Sequence, residues 1–127
     1  MRKFSKFGLG LAAALALLAV GGKAFADDAV EAGEKAYKKY CGACHTVEEG
    51  KNRVGPSLHS VVGRHSGAVA GYAYSAANTA SGIVWTEDKL DAYLADPKAV
   101  VPGTKMTFSG VKDAEQRTAI IAYLKTK

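Results

Sequence analysis

Cysteine and histidine are scarce in this chain, which has two cysteines and three histidines among its 127 residues. Cys41 and Cys44 are separated by two residues, so a disulfide between them would close a small, strained loop of little stabilising value. A zinc site would need more ligands, and although His59 and His65 could serve in principle, there is no second paired-ligand motif. A thioredoxin-like dithiol would need a βαβ pattern around the cysteines, which is missing. These three uses of the cysteines are therefore disfavoured.

The two cysteines instead belong to a C-x-x-C-H motif, Cys41-Gly42-Ala43-Cys44-His45. This motif is typical of covalent haem c attachment, in which both thiols add to the haem vinyl groups and the imidazole binds the iron from one face. Five consecutive residues would thus hold the cofactor both covalently and by coordination. We interpret the rest of the chain as the enclosure of one haem.

The N-terminal segment has the three-part pattern of a secretory signal peptide. Residues 1–6 include three basic residues, residues 7–22 carry no charge, and Ala24-Phe25-Ala26 offers small residues at a cleavage site. This pattern predicts a cleaved leader over residues 1–26 and export to the periplasm. An uncleaved anchor is the alternative, but the apolar run is short for a hydrocarbon core about 30 Å thick, so we expect no integral membrane segment.

The charge of the mature domain, residues 27–127, gives no support for nucleic-acid binding. The chain has 17 basic and 12 acidic residues, but four of the basic ones and none of the acidic ones lie in the leader. The mature domain therefore has 13 basic and 12 acidic residues, a formal charge of +1. It is one domain by length, without repeats or linkers, and a central haem would supply apolar core that so small a domain lacks.

Apolar periodicity predicts an all-α domain with long loops. The first helix covers residues 28–40 and leads directly into the haem motif. Gly33 within this helix costs up to about 1 kcal/mol relative to alanine, which suggests that another backbone segment passes close by. Residues 46–74 have no periodicity and several glycines, so we expect loops there.

Capping residues predict three further helices. Ser75 is the N-cap of a short helix that stops at Gly82, and Thr86 is the N-cap of a helix that Pro97 ends. Asp113, with a glutamine three residues later, starts the last helix. Four residues form the predicted buried face of this helix: Ile120, Ile121, Tyr123 and Leu124.

The ligand at the sixth coordination position of the iron decides whether a haem protein carries electrons or reacts with small molecules. Met106 is the only methionine after the leader, and it lies in a loop between the last two helices that could reach the haem face opposite His45. A lone methionine close to a phenylalanine is more often core filler, and His59, His65 or a lysine such as Lys105 could bind the iron instead. The residues alone leave the second ligand open.

Short motifs in a fixed order extend the pattern over almost the whole mature domain. Besides the haem motif they are GPSLH at 55–59, GYAYSAAN at 71–78, GIVW at 82–85, YLADP at 93–97, PGTKM at 102–106 and IAYL at 121–124. With these motifs the chain resembles a class I cytochrome c of the mitochondrial type, in the bacterial exported form called cytochrome c2. The resemblance implies the cytochrome c fold, in which helices and long loops wrap around one covalent haem.

The resemblance also implies roles for single residues. Met106 would be the second iron ligand, and the Pro56 carbonyl would accept a hydrogen bond from the His45 ring. The other implied haem-site residues are Arg64, Tyr74 and Trp85 around the propionates, Asn78, Tyr93 and Thr104 in a polar network beside the methionine, and Phe108 at the haem edge.

Two positions depart from the family pattern. Asn52 stands where the mitochondrial proteins usually have a histidine that bridges two loops, and Ala99 stands in place of one residue of a basic cluster. The loop bridge and the strength of partner docking are therefore left open, whereas the haem ligands are not affected.

With both axial positions filled by protein, the expected function is outer-sphere transfer of one electron by a monomer that is not an enzyme. By resemblance, the partners are membrane complexes: a cytochrome bc complex on one side and a terminal oxidase or photosynthetic reaction centre on the other. The alternatives are a haem enzyme or gas sensor with a labile methionine ligand, and an exported thiol oxidoreductase. Six lysines could form a positive ring that steers the protein to acidic docking surfaces. They are Lys38, Lys39, Lys51, Lys98, Lys105 and Lys112. Each of them could also be an ordinary solvated residue.

Overall fold

Helices and loops form the part of the chain that the computed structural model describes, residues 21–127. Extended backbone pairs in this part only at an isolated bridge between His65 and Val84. The predicted all-α fold is therefore confirmed. In chain order the helices are α1 (Gly21–Tyr40), α2 (Ala76–Ala80), α3 (Glu87–Ala95), α4 (Pro97–Val100) and α5 (Ala114–Leu124).

The start of α1 overlaps the predicted leader. Residues 1–20 of that leader lie outside the described residues, and residues 21–26 belong to α1, which begins before the predicted start at 28 because no proline interrupts this alanine-containing segment. Residues 22–29 are exposed, so the packed part of α1 begins at Val30. No helix within 21–127 is long and apolar enough to span a bilayer. Cleavage near Ala26 stays a prediction.

The predicted helix caps form local hydrogen bonds at the expected positions. The Ser75 hydroxyl accepts a hydrogen bond from the backbone N–H of Asn78 at 3.1 Å, and the Thr86 hydroxyl accepts one from that of Lys89 at 3.3 Å. The Asp113 carboxylate accepts hydrogen bonds from two N–H groups in the first turn of α5. Because these groups would otherwise lack partners, the caps fix where the three helices begin.

The predicted helix stops are right at one position and wrong at another. Gly82 follows α2 with a φ of 65°, the left-handed conformation expected of a stop. Pro97, however, does not end α3, which already stops at Ala95; it is the first residue of α4. Proline suits this position because the first N–H groups of a helix need no partner within the helix, and Asp96 caps the new helix by accepting from the N–H of Ala99.

The two terminal helices cross at Gly33. A Cβ atom at this position would lie 1.9 Å from the carbonyl oxygen of Ala119 and 2.8 Å from the Cβ of Tyr123, so only glycine fits. The rings of Tyr37 and Tyr123 pack beside the crossing with 5.3 Å between their centroids. The four residues predicted for the inner face of α5 are all buried. The close backbone predicted from the cost of Gly33 is therefore the backbone of α5.

Candidate haem site

The C-x-x-C-H motif continues α1 by one more helical turn. The N–H of Cys41 donates to the Tyr37 carbonyl at 2.7 Å, and the N–H groups of Cys44 and His45 donate to the Cys41 carbonyl at 3.1 and 2.9 Å. Residues three and four positions apart share a face of such a turn, so both thiols and the imidazole lie on one side of the chain. This arrangement explains why the motif needs its spacing to hold one planar cofactor at three points.

Three contacts fix the ring and backbone of His45. Its Nδ1 lies 2.7 Å from the carbonyl oxygen of Pro56, the contact that the resemblance implies. A Cβ at Gly55 would lie 2.3 Å from Cε1 of the same ring, so the loop backbone is in close contact with the imidazole. The Tyr37 hydroxyl donates to the His45 carbonyl at 2.9 Å. The imidazole is therefore held in one orientation by contacts with the protein itself.

The protonation state of His45 suits a metal ligand. Burial lowers the pKa of His45, the hydrogen bond to Pro56 opposes this shift, and the charge of Arg64 adds to the lowering. The imidazole is therefore neutral at pH 7, and donation from Nδ1 to the Pro56 carbonyl leaves the Nε2 lone pair available. A neutral, oriented imidazole with one open nitrogen is what iron coordination requires.

Arg64 has a donor without a partner. Its guanidinium donates from one terminal nitrogen to the carbonyls of Ser57 at 2.9 Å and His59 at 2.8 Å, whereas its buried Nε has no hydrogen-bond partner within residues 21–127. The Tyr74 hydroxyl accepts from the N–H of Val69 at 3.1 Å, so its own hydrogen is still available. Unpaired buried donors are costly, and two available donors fit a carboxylate such as a haem propionate.

Met106 lies beside two hydroxyl groups. The Tyr93 hydroxyl donates to the Met106 sulfur at 3.9 Å and lies 3.5 Å from the Thr104 hydroxyl, which in turn accepts from the backbone N–H of Met106 at 3.3 Å. Trp85 is buried against Tyr93 with 4.7 Å between ring centroids, and Phe108 is half-buried against the core. Two of the residues assigned by resemblance, Tyr93 and Thr104, thus contact the methionine directly.

Asn78 forms a side-chain hydrogen bond outside this pair of hydroxyls. Its side-chain oxygen accepts from the Ser66 hydroxyl, which connects α2 to the loop that carries Ser66. Its expected place in the polar network beside the methionine stays a prediction.

Asn52 connects two loops. Its amide nitrogen donates to the carbonyl of Ala70 at 3.4 Å, and its amide oxygen accepts from the backbone N–H of Ser57 at 3.0 Å. The bridge that the sequence left open is therefore present, and an asparagine makes it in place of a histidine.

A sequence model of the cytochrome c family matches residues 30–127. The chain belongs to the cytochrome c family. The match begins where α1 becomes packed against the rest of the molecule and continues to the last residue, so it includes every part of the site described above. Membership in this family makes the chain a haem c electron carrier, in line with the expected class of function.

Individual relatives agree with this assignment. Cytochrome c-550 from Nitrobacter winogradskyi is 56% identical over 96 residues, which are 75% of this chain and 87% of the relative. Cytochrome c2 from Rhodopila globiformis is 52% identical over 105 residues, which are 83% of this chain and 98% of the relative. The solved structure of cytochrome cH from Methylobacterium extorquens has a TM-score of 0.73 and 52% identity, covering 77% of this chain and 98% of that one. Bacterial members of the cytochrome c family are thus similar to this chain in both sequence and fold.

Family membership and the C-x-x-C-H motif together identify the cofactor as one haem c, attached covalently through Cys41 and Cys44. The described residues fit this group, because a neutral imidazole offers Nε2 to iron and Arg64 offers a buried, unpaired donor to a carboxylate. The haem contacts of the other residues stay predictions.

The cysteines do not fit two of the three other uses that the sequence raised, the redox-active dithiol and the zinc site. Burial, together with the nearby Cys44, raises the pKa of Cys41 to about 11, whereas a redox-active dithiol needs a lowered thiol pKa. Within residues 21–127, no three cysteine, histidine or acidic side chains are grouped closely enough to hold a metal ion, so the zinc alternative has no ligand set in this part of the chain.

Sequence reasoning missed two contacts that position His45. Gly55 was predicted only as part of a turn, although its contact with the imidazole excludes any side chain. The Asn52 oxygen was not predicted to bind the N–H of Ser57. The only sequence feature that could have indicated the close contact was the glycine before Pro56 in the predicted loop. It did not indicate which side chain the loop backbone would contact.

Proposed function

We propose that the protein is a periplasmic one-electron carrier whose haem iron is bound by His45 and Met106. The observation that carries this proposal is the neutral imidazole oriented by Pro56, and the Met106 thioether, which accepts a hydrogen bond from Tyr93, is the proposed second ligand. When bound, haem c supplies an iron centre that alternates between Fe(III) and Fe(II). A thioether ligand favours Fe(II), so the midpoint potential is high relative to a centre with two histidines.

The residues around the two ligands keep the centre closed. Because Nδ1 of His45 is bonded to Pro56, the imidazole keeps its Nε2 edge available to the iron, and the hydroxyls of Tyr93 and Thr104 restrain the loop that carries Met106. With both positions held, substrate would have no access to the metal, and bound haem would exchange electrons through its edge. The leader pattern and the bacterial relatives support the periplasmic location.

An optical redox titration of the purified holoprotein tests the ligand assignment. We expect the far-red absorption band of sulfur-ligated ferric haem, a high midpoint and no binding of carbon monoxide by the reduced protein. Loss of the band together with rapid carbon monoxide binding would instead indicate an open iron site and favour a haem enzyme or gas sensor.

The partners in this proposal are membrane electron-transfer complexes with acidic docking surfaces. The structure modifies the expected lysine ring, because Lys38 and Lys51 form ion pairs with glutamates on neighbouring turns, whereas Lys105 and Lys112 donate to backbone carbonyls. Lys39 and Lys98 are both exposed and form no salt bridge within the described residues, but the Lys39 ammonium lies over the Tyr40 ring, 4.8 Å from its centroid. Lys98, on α4, is therefore the best candidate for partner contact.

Reversing single charges tests this docking surface. We expect Lys98→Glu to slow oxidation and reduction of the protein by membranes at low salt, and we expect added salt to slow the native protein steeply. Lys89→Glu is the matched control, since Lys89 is exposed on α3 and lies outside the proposed ring. Equal slowing in both variants, or rates independent of salt, would contradict a localised docking surface.

A further inference from the structure

One peptide group joins the proximal histidine to a second side chain. The carbonyl of the peptide between Pro56 and Ser57 lies 2.7 Å from Nδ1 of His45, and the N–H of the same peptide donates to the Asn52 side-chain oxygen at 3.0 Å. Asn52, the peptide and the imidazole therefore form a continuous chain of two hydrogen bonds.

Such a chain transmits polarisation. When the N–H of an amide donates a hydrogen bond, its carbonyl oxygen becomes more negative and accepts more strongly, and each bond in a chain strengthens the next by roughly 10–30%. A stronger acceptor draws the Nδ1 proton away from the imidazole and makes the ring a better electron donor at Nε2. Electron donation from the ring stabilises Fe(III) more than Fe(II). The hydrogen bond to Asn52 therefore affects how strongly Nε2 of His45 donates electrons to the iron.

We propose that Asn52 is a positioning residue that sets the donor strength of His45 through the Pro56–Ser57 peptide. The proposal rests on the proposed function, in which His45 binds the haem iron. Asn52 is suited to this role because its nitrogen donates to the Ala70 carbonyl at 3.4 Å, which turns its oxygen toward Ser57. The asparagine side chain does not titrate, so its effect on the ligand is the same across the pH range.

The loop has an independent anchor, which provides a matched control. The Ser57 hydroxyl donates to the Glu48 carbonyl at 2.6 Å and accepts from the N–H of His59 at 3.1 Å, and Ser57 is only 2% exposed. Ser57→Ala removes both of these bonds but keeps the backbone N–H that binds Asn52. This variant loosens the same loop without breaking the chain of hydrogen bonds to His45.

The test compares holoprotein variants by redox titration and by the proton NMR shift of the His45 Nδ1–H in the reduced state. Asn52→Leu has a similar shape and no acceptor, so we expect a higher midpoint and an upfield move of the Nδ1 proton. Asn52→Asp keeps an acceptor oxygen, so we expect its Nδ1 proton to stay at the native position or move downfield. Ser57→Ala should lose resistance to denaturant while keeping the native midpoint and proton shift.

Native values of both quantities in Asn52→Leu would overturn the proposal, as would equal changes in Ser57→Ala. If Asn52→Leu yields no holoprotein, Asn52→Ala removes the same acceptor, and the same two outcomes decide the matter. The native protein provides the separate check of the proposed function. A His45 ring without the haem-induced shifts of an iron ligand would refute the ligand assignment itself, before any variant is compared.

Discussion

The two proposed ligands differ in how firmly the protein holds them, His45 in the His45 region (residues 37–57) and Met106 in the Met106 region (residues 93–108). In the His45 region, the hydrogen bonds of Pro56 and Tyr37 to the ligand residue are 2.7 and 2.9 Å long. In the Met106 region, the corresponding contacts of Tyr93 and Thr104 with Met106 are 3.9 and 3.3 Å. The histidine is also part of a helical turn, whereas the methionine lies in a loop. We therefore expect ligand exchange to begin at Met106.

The largest change in this comparison comes from making the two ligands alike. We expect Met106→His to lower the midpoint by on the order of 0.1 V or more, because imidazole stabilises Fe(III) more than a thioether does and axial ligands set haem potentials over about 0.8 V. Redox titration measures the shift. Lys105→His is the control, since it puts an imidazole in the same loop beside the ligand position. An unchanged midpoint in Met106→His would remove Met106 as the ligand.

The firmness of the His45 region is tested at Gly55. A methyl group there would lie 2.3 Å from Cε1 of His45, so we expect Gly55→Ala to lower the free energy of unfolding by about 1–3 kcal/mol, the usual cost of overpacking. Gly42→Ala is the control, because its nearest contact would be the Lys38 backbone at 3.3 Å. Denaturant titration of both holoproteins measures the difference. Equal losses of unfolding free energy in Gly42→Ala and Gly55→Ala would mean that the His45 ring moves aside at little cost.

Removing one hydroxyl from each region compares them directly. Tyr37→Phe leaves the His45 carbonyl without its donor, so we expect it to cost about 1 kcal/mol of unfolding free energy and to leave cyanide binding by the ferric protein unchanged. Tyr93→Phe breaks a longer contact with Met106, so we expect a smaller loss of stability but tighter cyanide binding. If cyanide binding became tighter in Tyr37→Phe and not in Tyr93→Phe, the His45 region would be the one that holds its ligand less firmly.

The smallest expected effect is a dependence of stability on alkaline pH. Burial above all raises the pKa of Tyr37, to about 12 against an ordinary value of 10.0, and the nearby Tyr123 adds to the shift. The unfolded chain therefore loses this proton first, so the contribution of Tyr37 to stability is complete below pH 10 and disappears as the pH rises to about 12.

Unfolding free energies measured from pH 9 to pH 12 check this expectation. The native protein should lose more stability over this range than Tyr37→Phe does. Subtracting the two curves cancels the contribution of Tyr93, whose pKa burial also raises. Parallel curves would mean that Tyr37 titrates normally.

Features that depend on neighbouring residues could be predicted from the sequence. Ser75, Thr86 and Asp113 begin helices because a side-chain oxygen meets an N–H two or three residues later, and nothing distant is needed. The haem motif is equally local, since all three of its contact groups lie within one helical turn. Pro97 shows the limit of such rules, because a proline can start a helix as well as stop one.

Features that depend on the approach of distant segments could be predicted only in part. The cost of Gly33 indicated a close backbone but not that it would be α5, and the Gly55 turn gave no sign of the imidazole. The bond between Asn52 and the N–H of Ser57 depends on how a loop returns on itself, which no periodicity encodes. The contact between Pro56 and His45 was predicted from the family resemblance, because the family's known fold shows which distant residues come together and the sequence alone does not.

The crossing of α1 and α5 at Gly33 also bears on the order in which the molecule forms. Its partners Ala119 and Tyr123 lie far along the chain from Gly33, so α1 and α5 meet only once the long stretch between them has been brought together. Contacts between such distant positions form late in folding. Because Cys41 is buried in the folded chain, we expect its thioether bond to form before α5 packs against α1.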